Sequence, residues 1–175
     1  MPGTRHLESE GRRLPAAMTG VLSGDLEATW PLVVPLLEPV VLRSRGKESL
    51  VELRAALGTG SKQLWVWCSD AGVRALAITD VAVYPAARIC RISICTGERR
   101  GEWLAPGLAA IEAWAREQGC DAVEPFCRPG WKRELQALGY RERHVLMRKV
   151  LVRTEGASED WEPGGTQSCE ALEGA

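Results

Sequence analysis

Three consecutive segments with a two-residue hydrophobic period constrain the fold of this chain more than any other feature. They occupy residues 63–68, 73–84 and 87–96, and turn-forming residues connect them at 69–72 and 85–86. Alternation of apolar and mixed positions is typical of strands, and such short turns join antiparallel neighbours. The sequence therefore predicts an antiparallel meander of three strands.

Two helical segments precede the meander. Apolar residues recur at helical spacing over residues 25–42, but Pro31, Pro35 and Pro39 interrupt this pattern every four residues. Proline inside a helix removes a backbone hydrogen bond and collides with the preceding turn. We therefore predict a short helix that starts at one proline and is kinked or ended at another. A second helix is predicted over residues 50–58 and ends at its glycine.

Helix and strand patterns alternate after the meander. The predicted elements are a polar loop at 97–101, a helix ended by Gly119, a strand at 122–127, a helix at 130–138 and a strand at 140–152. The helix before Gly119 has the apolar stripe Leu104, Leu108, Ile111 and Ala115. A strand-helix-strand unit joined to an antiparallel meander gives a mixed sheet covered by helices. The predicted fold class is therefore α/β, in an α+β arrangement with a mixed sheet.

The predicted domain spans residues 19–153. Residues 1–18 and the acidic segment 154–175 lack apolar periodicity, so we expect both to be disordered. Basic residues concentrate towards the end of the domain: Arg128, Lys132, Arg133, Arg141, Arg143, Arg148 and Lys149. Such a patch can face an anionic cofactor, a nucleic acid or water, and the solvated face is the commonest outcome. We therefore do not expect a nucleic-acid partner.

Cysteine spacing and hydropathy argue against several classes of protein. The six cysteines form no C-x-x-C pair, and the two histidines lie at no zinc-like spacing from them, so we expect no metal site. No apolar run approaches the length of a membrane span, and the first 18 residues are too polar for a signal peptide. We expect reduced thiols in a cytoplasmic protein without a membrane partner.

The order of elements resembles the GNAT superfamily of acyl-CoA N-acyltransferases over residues 20–153. The phrases that carry this likeness are Leu64-Trp65-Val66, Ile111-Glu112-Ala113-Trp114-Ala115 with Gly119-Cys120, and Arg128-x-Gly130-Trp131-x-Arg133-x-Leu135 with Gly139-Tyr140. These phrases look like the small GNAT-like proteins of tailed phages. The resemblance implies a GNAT-like fold and, for a phage protein, a place in the host cytoplasm or the virion.

The resemblance also implies where acetyl-CoA or another acyl-CoA would bind. In the family the pantetheine arm pairs with freed backbone of the third meander strand, which corresponds to Ile94, Cys95 and Thr96. The family's phosphate loop, [Arg/Gln]-x-x-Gly-x-[Gly/Ala], corresponds to residues 98–103. Backbone N–H groups of such a loop hold phosphates at a helix N-terminus.

This loop departs from the family's pattern at two positions. Gly101 matches the pattern. Glu98 replaces the basic or amide residue and would repel phosphate, and Trp103 replaces the small residue and would crowd the approach of phosphate to the backbone. Arg99 and Arg100 can supply positive charge instead, as side-chain clamps, or can lie in a solvated turn. Pro106 suits a helix that begins later than the family's helix does.

Few residues match the family's catalytic groups. Many members use an acidic residue on the sheet as the base, and Asp80 on the second meander strand is our candidate. His144 on the last predicted strand is a second candidate, because histidine titrates near neutral pH. Tyr140 corresponds to an aromatic core position, so we expect a packing role.

Two classes of function remain open on this evidence. The first is an N-acyltransferase that acts on the amine of a small molecule or protein, chiefly by positioning and by oxyanion stabilisation from a backbone N–H. The second is a GNAT-fold phage protein that no longer catalyses and contributes to virion assembly or binds phage structural proteins. Binding of nucleic acid through residues 128–149 is a third and weaker alternative.

Overall fold

A computed structural model of the chain describes residues 18–70, 72–143 and 146–151. The chain divides into one unit up to Arg141 and a second from Glu142. All helices and strands assigned within the described residues lie in the first unit. In chain order they are strand β1 (Met18–Val21), helices α1 (Leu26–Ser44) and α2 (Leu50–Gly58), strands β2 (Gln63–Ser69), β3 (Gly72–Tyr84) and β4 (Ala87–Gly97), helix α3 (Arg100–Glu117), strand β5 (Ala122–Pro125) and helix α4 (Lys132–Ala137), with 3-10 turns at Ser23–Asp25 and Pro129–Trp131.

The five strands form one mixed sheet in the order β1-β2-β3-β4-β5. All neighbours are antiparallel except β4 and β5, which are parallel. The predicted meander and mixed α/β fold are confirmed. Strand β1 was not predicted, because a four-residue strand is too short to show a period. Met18, which we had assigned to the disordered extension, pairs with Trp67 in this strand and is buried.

Helices cover both faces of the sheet. Helices α1 and α2 pack Val33, Leu37 and Leu53 against the face that carries Leu76 and Ile78. The opposite face packs against α3, through residues that form a second core cluster. That cluster contains Met18, Trp65, Trp67, Ala75, Ala77, Cys90, Ile92, Trp103, Leu104, Leu108, Ile111, Ala115 and Leu135. The predicted apolar stripe of the third helix is therefore confirmed.

Helix α1 contradicts our prediction of a short helix. It continues for 19 residues through Pro31, Pro35 and Pro39. All three prolines are exposed, and their four-residue spacing puts them on one stripe of the helix. The carbonyl groups that lose a donor lie on the same stripe, where water can hydrogen-bond to them. Burial of Val33 and Leu37 on the other side holds the helix against the sheet.

The other two long helices begin at different kinds of residue. The hydroxyl of Ser49 caps α2: it accepts a hydrogen bond from Glu52 N at 3.2 Å and donates one to Glu52 Oε2 at 2.8 Å.

Helix α3 starts at Arg100, so Pro106 lies inside it. Our expectation that Pro106 marks a later start of this helix is therefore wrong. Pro106 is exposed, which lets water satisfy the carbonyl it leaves without a donor.

The predicted strand at 140–152 is wrong for the residues that the structure describes. Residues 140–143 and 146–151 carry no strand assignment, and Leu146 and Met147 are 82% and 85% exposed. Alternation predicts which side chains a strand would bury, but a strand also needs a neighbour for its backbone groups. His144 and the segments 1–17 and 152–175 lie outside the described residues. No helix in the described ranges is long and apolar enough to cross a membrane.

Candidate functional site

The pairing of strands β4 and β5 ends partway along β4. Their parallel pairing covers only Ile89 to Ile92 of β4, against Ala122 to Pro125 of β5. The last hydrogen bond between the two segments is donated by Phe126 N to Ile92 O, at 2.9 Å. Strand β4 continues to Gly97, and within the described residues no strand pairs with that continuation on the β5 side. Strand β4 therefore runs past the end of β5 with an unpaired edge beyond Ile92, and we call the space along this edge the gap.

A bulge in β4 marks the point where the gap begins. Ile78 of β3 pairs with Ile94, whereas Thr79 pairs with Ile92, which leaves Ser93 as the extra residue. The Ser93 hydroxyl donates to Ile78 O at 3.2 Å. The bulge resets the alternation of β4, so that Cys90 and Ile92 face α3 while Ile94 packs in the cluster under α1.

Backbone alternation beyond the bulge exposes Cys95 to the gap. Glu98 N donates to Arg74 O at 3.1 Å, and every second residue of an antiparallel ladder bonds to the same neighbour. The backbone N–H and C=O groups of Ile94 and Thr96 therefore form hydrogen bonds with β3, whereas the N–H and C=O of Cys95 point into the gap. Among the three residues we predicted for the pantetheine arm, Cys95 has the available backbone.

The predicted phosphate loop is tighter than its sequence suggests. Only Glu98 and Arg99 separate β4 from α3, and Gly101 lies in the first turn of the helix. Arg99 caps α3 with a left-handed backbone, at φ 51°. Trp103 is 2% exposed, and its indole N–H donates to Glu98 O at 2.7 Å. We expected Trp103 to crowd the approach of phosphate, but its side chain packs into the core instead.

Gly97 at the end of β4 has no room for a side chain. A Cβ atom there would lie 2.3 Å from the Ala75 Cβ and 2.8 Å from Arg74 O. By contrast, a Cβ on Gly101 would meet nothing within 4 Å. Because β3 lies so close to position 97, only glycine fits there, whereas open space surrounds Gly101 at the start of α3.

Each arginine around the loop has a carboxylate partner. Arg74 pairs with Glu98 at 2.9 Å, and Arg99 pairs with Glu102. Exposed pairs of this kind are weak and exchange readily with solvent ions.

Arg100 makes the most extensive contacts of the loop arginines. Its Nε donates to Glu134 Oε2 at 2.8 Å and its terminal nitrogen donates to Glu134 Oε1. Its guanidinium carbon also lies 4.8 Å from the ring centroid of Trp131. The hydrogen bonds raise the pKa of Arg100 and lower the pKa of Glu134, so both groups stay charged at neutral pH.

A small cleft of about 150 Å³ lies on the β2 and β3 side of the loop. It is lined by Trp67, Ser69, Arg74, Glu98, Arg99, Glu102 and Trp103. Two arginines and two glutamates give this cleft no net charge. It therefore offers no net charge to attract an anionic cofactor.

The candidate base Asp80 lies between two cations on the sheet face that α1 and α2 cover in part. Arg91 donates from Nε to Asp80 Oδ2 at 2.9 Å, and Lys62 Nζ lies 3.5 Å from Asp80 Oδ1. Lys62 also donates to the bulge residue Ser93, at 3.5 Å. Asp80 is paired chiefly with Arg91, and this hydrogen bond raises the pKa of Arg91. The structure thus brings Asp80 close to the bulge, but not as an unpaired acid.

Tyr140 lies near the end of the first unit and is half-buried against the α3 cluster. Its hydroxyl donates to Glu112 Oε1 at 2.8 Å. Burial and this hydrogen bond raise the pKa of Tyr140, so it keeps its proton at neutral pH. These contacts fit the packing role we expected.

Two cysteine thiols of β4 are disfavoured as nucleophiles. Desolvation raises the pKa of the Cys90 and Cys95 thiols to about 12, which disfavours the thiolate near neutral pH. Within residues 18–70, 72–143 and 146–151, no group of His, Cys, Asp and Glu side chains is arranged to hold a metal ion.

Several residues of this region were missed by sequence reasoning. Lys62, Arg91 and Ser93 surround Asp80 and the bulge, while Trp131 and Glu134 contact Arg100. Cross-strand register could have suggested the pairing of Arg91 with Asp80, since they lie directly opposite. Nothing in the sequence indicates that Glu134 contacts a residue 34 positions earlier.

The fold matches that of several solved acetyltransferases. Glucosamine-6-phosphate N-acetyltransferase from Arabidopsis thaliana superposes with a TM-score of 0.58 at 10% identity, covering 77% of this chain and 97% of that one. An aminoglycoside acetyltransferase from an uncultured soil metagenomic sample gives a TM-score of 0.56 at 15% identity, covering 77% and 95%. Ribosomal-protein-alanine N-acetyltransferase from Brucella melitensis biovar Abortus 2308 gives 0.54 at 10% identity, covering 77% and 99%.

Likeness at this level of identity establishes the fold, and function has to be argued from the site. No protein-family model and no curated protein sequence matches the chain. The relation to tailed-phage proteins stays a prediction from the sequence.

Proposed function

We propose that this protein transfers an acyl group from acetyl-CoA, or another acyl-CoA, to an amine. The observation that carries this proposal is the gap between β4 and β5, into which Cys95 directs its N–H and C=O beside the Ser93 bulge. Unpaired backbone groups at the edge of a strand are a template for an extended partner. A linear ligand with amide groups, such as the pantetheine arm, has the chemistry to fill that edge.

The residues beside the gap fit the cofactor in part. Cys95 would hold the arm through its backbone, and the first turn of α3 around Gly101 would face the phosphates. Helix N-termini favour anions, and open space surrounds Gly101. Arg99 and Arg100 lie in the right segment, but each must leave a glutamate to bind a phosphate. We therefore expect modest affinity.

When bound, an acyl-CoA would supply a thioester carbonyl for direct attack by an amine: the C–N bond forms, the C–S bond breaks, and CoA leaves with its sulfur taking up a proton. The protein then has to hold the amine in position and stabilise negative charge on the carbonyl oxygen. The hydrogen bond from the Cys95 N–H to the arm would then be the one to the thioester carbonyl oxygen, because this N–H points into the gap and is not used by β3. No nucleophilic side chain is needed, which suits a site whose β4 thiols are protonated.

Asp80 is our candidate for the group that accepts the proton of the amine. Arg91 and Lys62 both occupy its oxygens, so Asp80 can take a proton only when one of these cations moves. We therefore expect Asp80 to contribute less than a dedicated base, with positioning supplying most of the rate. His144 stays a candidate from sequence and lies outside the described residues.

Incubation with acetyl-CoA and a panel of small amines and peptide amines tests this proposal, with the acetylated products detected by mass spectrometry. We expect at least one amine to be acetylated, with a lower kcat for Asp80→Asn. Asp70→Asn, a change at an exposed turn residue, serves as the matched control and should leave the rate unchanged. Loss of activity in both variants, or no product with any amine, would contradict the proposal.

One observation favours a second candidate, a GNAT-fold protein that no longer catalyses. Three arginines around the loop are paired with glutamates, which leaves little net positive charge for phosphates. The resemblance to small tailed-phage proteins then suggests a role in virion assembly or in binding phage structural proteins. Saturable binding of CoA would argue against this candidate, and its absence at millimolar concentration would favour it.

A further inference from the structure

Two side chains join the two sides of the gap on the face covered by α3. Arg100 lies in the first turn of α3, which follows β4, and Glu134 lies in α4, which follows β5. Their two hydrogen bonds therefore link the segments that follow these two strands. The rings of Trp103 and Trp131 meet edge to face beside this link, with centroids 6.2 Å apart. Arg100 rests on Trp131, so the pair has a defined geometry.

The guanidinium of Arg100 is also a candidate ligand for the phosphate groups of CoA. A guanidinium has five N–H donors, and each of its edges binds one planar or tetrahedral anion through two parallel hydrogen bonds. Glu134 already uses the Nε and a terminal nitrogen of Arg100. The side chains of Arg100 and Glu134 are 33% and 42% exposed, so water and ions reach the pair and it can open. A phosphate and the Glu134 carboxylate are therefore alternative partners of the edge of Arg100 formed by Nε and that terminal nitrogen, which faces Glu134.

We propose that Glu134 is an internal competitor for the phosphate groups of CoA, and that the Arg100–Glu134 pair is a clasp across the gap that a phosphate must open. This inference rests on the proposed function, because it names the regulation of the same site. A competitor lowers the apparent affinity by the fraction of molecules in which the clasp is open. The clasp therefore sets the concentration at which the protein loads with CoA.

Calorimetric titration with CoA of the full chain and its Glu134→Gln variant tests the clasp. The introduced glutamine keeps the size of the side chain but lacks the charge that holds Arg100. We expect binding to tighten about tenfold, which corresponds to a clasp closed about nine-tenths of the time. In an Arg100→Ala background the Glu134→Gln change should have no effect, since the two residues act through one contact.

Glu27→Gln provides the matched control. Glu27 pairs with Arg54, whose guanidinium lies 6.0 Å from the ring centroid of Trp30. This change removes the same charge from the same kind of glutamate–arginine–tryptophan cluster, but on α1 and α2. We expect it to leave CoA affinity unchanged, and equal tightening in both variants would mean that net charge alone is responsible and would overturn the clasp.

The remaining outcomes separate the clasp from the proposed function. If the unmodified protein binds CoA and Glu134→Gln binds it equally or more weakly, the clasp is wrong and the proposed function stands. If neither protein binds CoA at millimolar concentration, both are wrong.

Discussion

Replacement of Trp103 tests the loop architecture most sharply. Its side chain is 2% exposed and contacts the ring of Trp131, and its indole N–H donates to Glu98 O at 2.7 Å. Truncation of a buried tryptophan to alanine removes apolar contacts and leaves a cavity, at a cost of about 3–5 kcal/mol. We therefore expect Trp103→Ala to lower the free energy of unfolding by that amount, a large part of the ~5–15 kcal/mol typical of a domain.

The variant Trp103→Phe separates packing from hydrogen bonding. Phenylalanine keeps most of the apolar surface but cannot donate to Glu98 O. Because the Glu98 side chain is 66% exposed, water can reach the nearby backbone, and we expect a cost of only about 1 kcal/mol. Leu42→Ala is the control: this residue is 80% exposed, and the change should cost less than about 0.5 kcal/mol.

Urea denaturation followed by far-ultraviolet circular dichroism measures these differences without depending on tryptophan fluorescence. A shift in the midpoint at constant slope reports a change in stability. A cost below about 1 kcal/mol for Trp103→Ala, or equal costs for the two Trp103 variants, would refute the buried and hydrogen-bonded position that the structure gives to this residue.

Three further predictions concern affinity, stability and thiol reactivity. The double change Arg99→Ala with Arg100→Ala should weaken CoA binding at least about tenfold and make the CoA affinity less dependent on salt, both measured by titration calorimetry. Unchanged affinity would mean that the phosphates bind elsewhere. Ser49→Ala removes the reciprocal cap of α2 and should cost about 1 kcal/mol, measured as a lower urea midpoint; an unchanged midpoint would contradict the cap. Burial raises the pKa of Cys90 to about 12, so its reactive thiolate forms only as pH rises towards that value. Iodoacetamide at pH ~8 should therefore label the exposed Cys127 and spare Cys90, as mass-spectrometric mapping can show. Equal labelling of the two cysteines would contradict the burial of Cys90.

The regular part of the fold could be predicted because its signals are local. The meander alternates with a clear period, Gly119 stops α3 with a positive φ of 70°, and a turn connects β2 to β3 at Asp70, as its sequence indicates. The proline-rich helix α1 could not be predicted, because its length depends on tertiary burial. Val33 and Leu37 are fully buried on the sheet, and that packing outweighs the helix-breaking tendency of three exposed prolines.

The position of the candidate site stays a prediction, and its interactions could not be predicted from the sequence. The segment from Ile94 to Gly101 is what the resemblance implies for cofactor binding. The bulge at Ser93 decides which backbone groups face the gap, and no local sequence pattern specifies where a bulge falls. Contacts between distant residues, such as Arg100 with Glu134, depend on how helices pack after the sheet has formed. The final predicted strand failed for a related reason, because alternation alone does not supply a partner strand.

Hydrogen exchange at the Cys95 amide, with and without acetyl-CoA, tests the central proposal most directly. The amide points into the gap between β4 and β5 and has no partner there among the described residues. An arm that binds along this edge must accept a hydrogen bond from it, so we predict slower exchange for Cys95 on addition of acetyl-CoA. The neighbouring Ile94 and Thr96 amides, which already bond to β3, should change little. Saturable binding without protection of Cys95 would place the cofactor elsewhere, and exchange that is unaffected at millimolar acetyl-CoA would contradict an acyltransferase built on this gap.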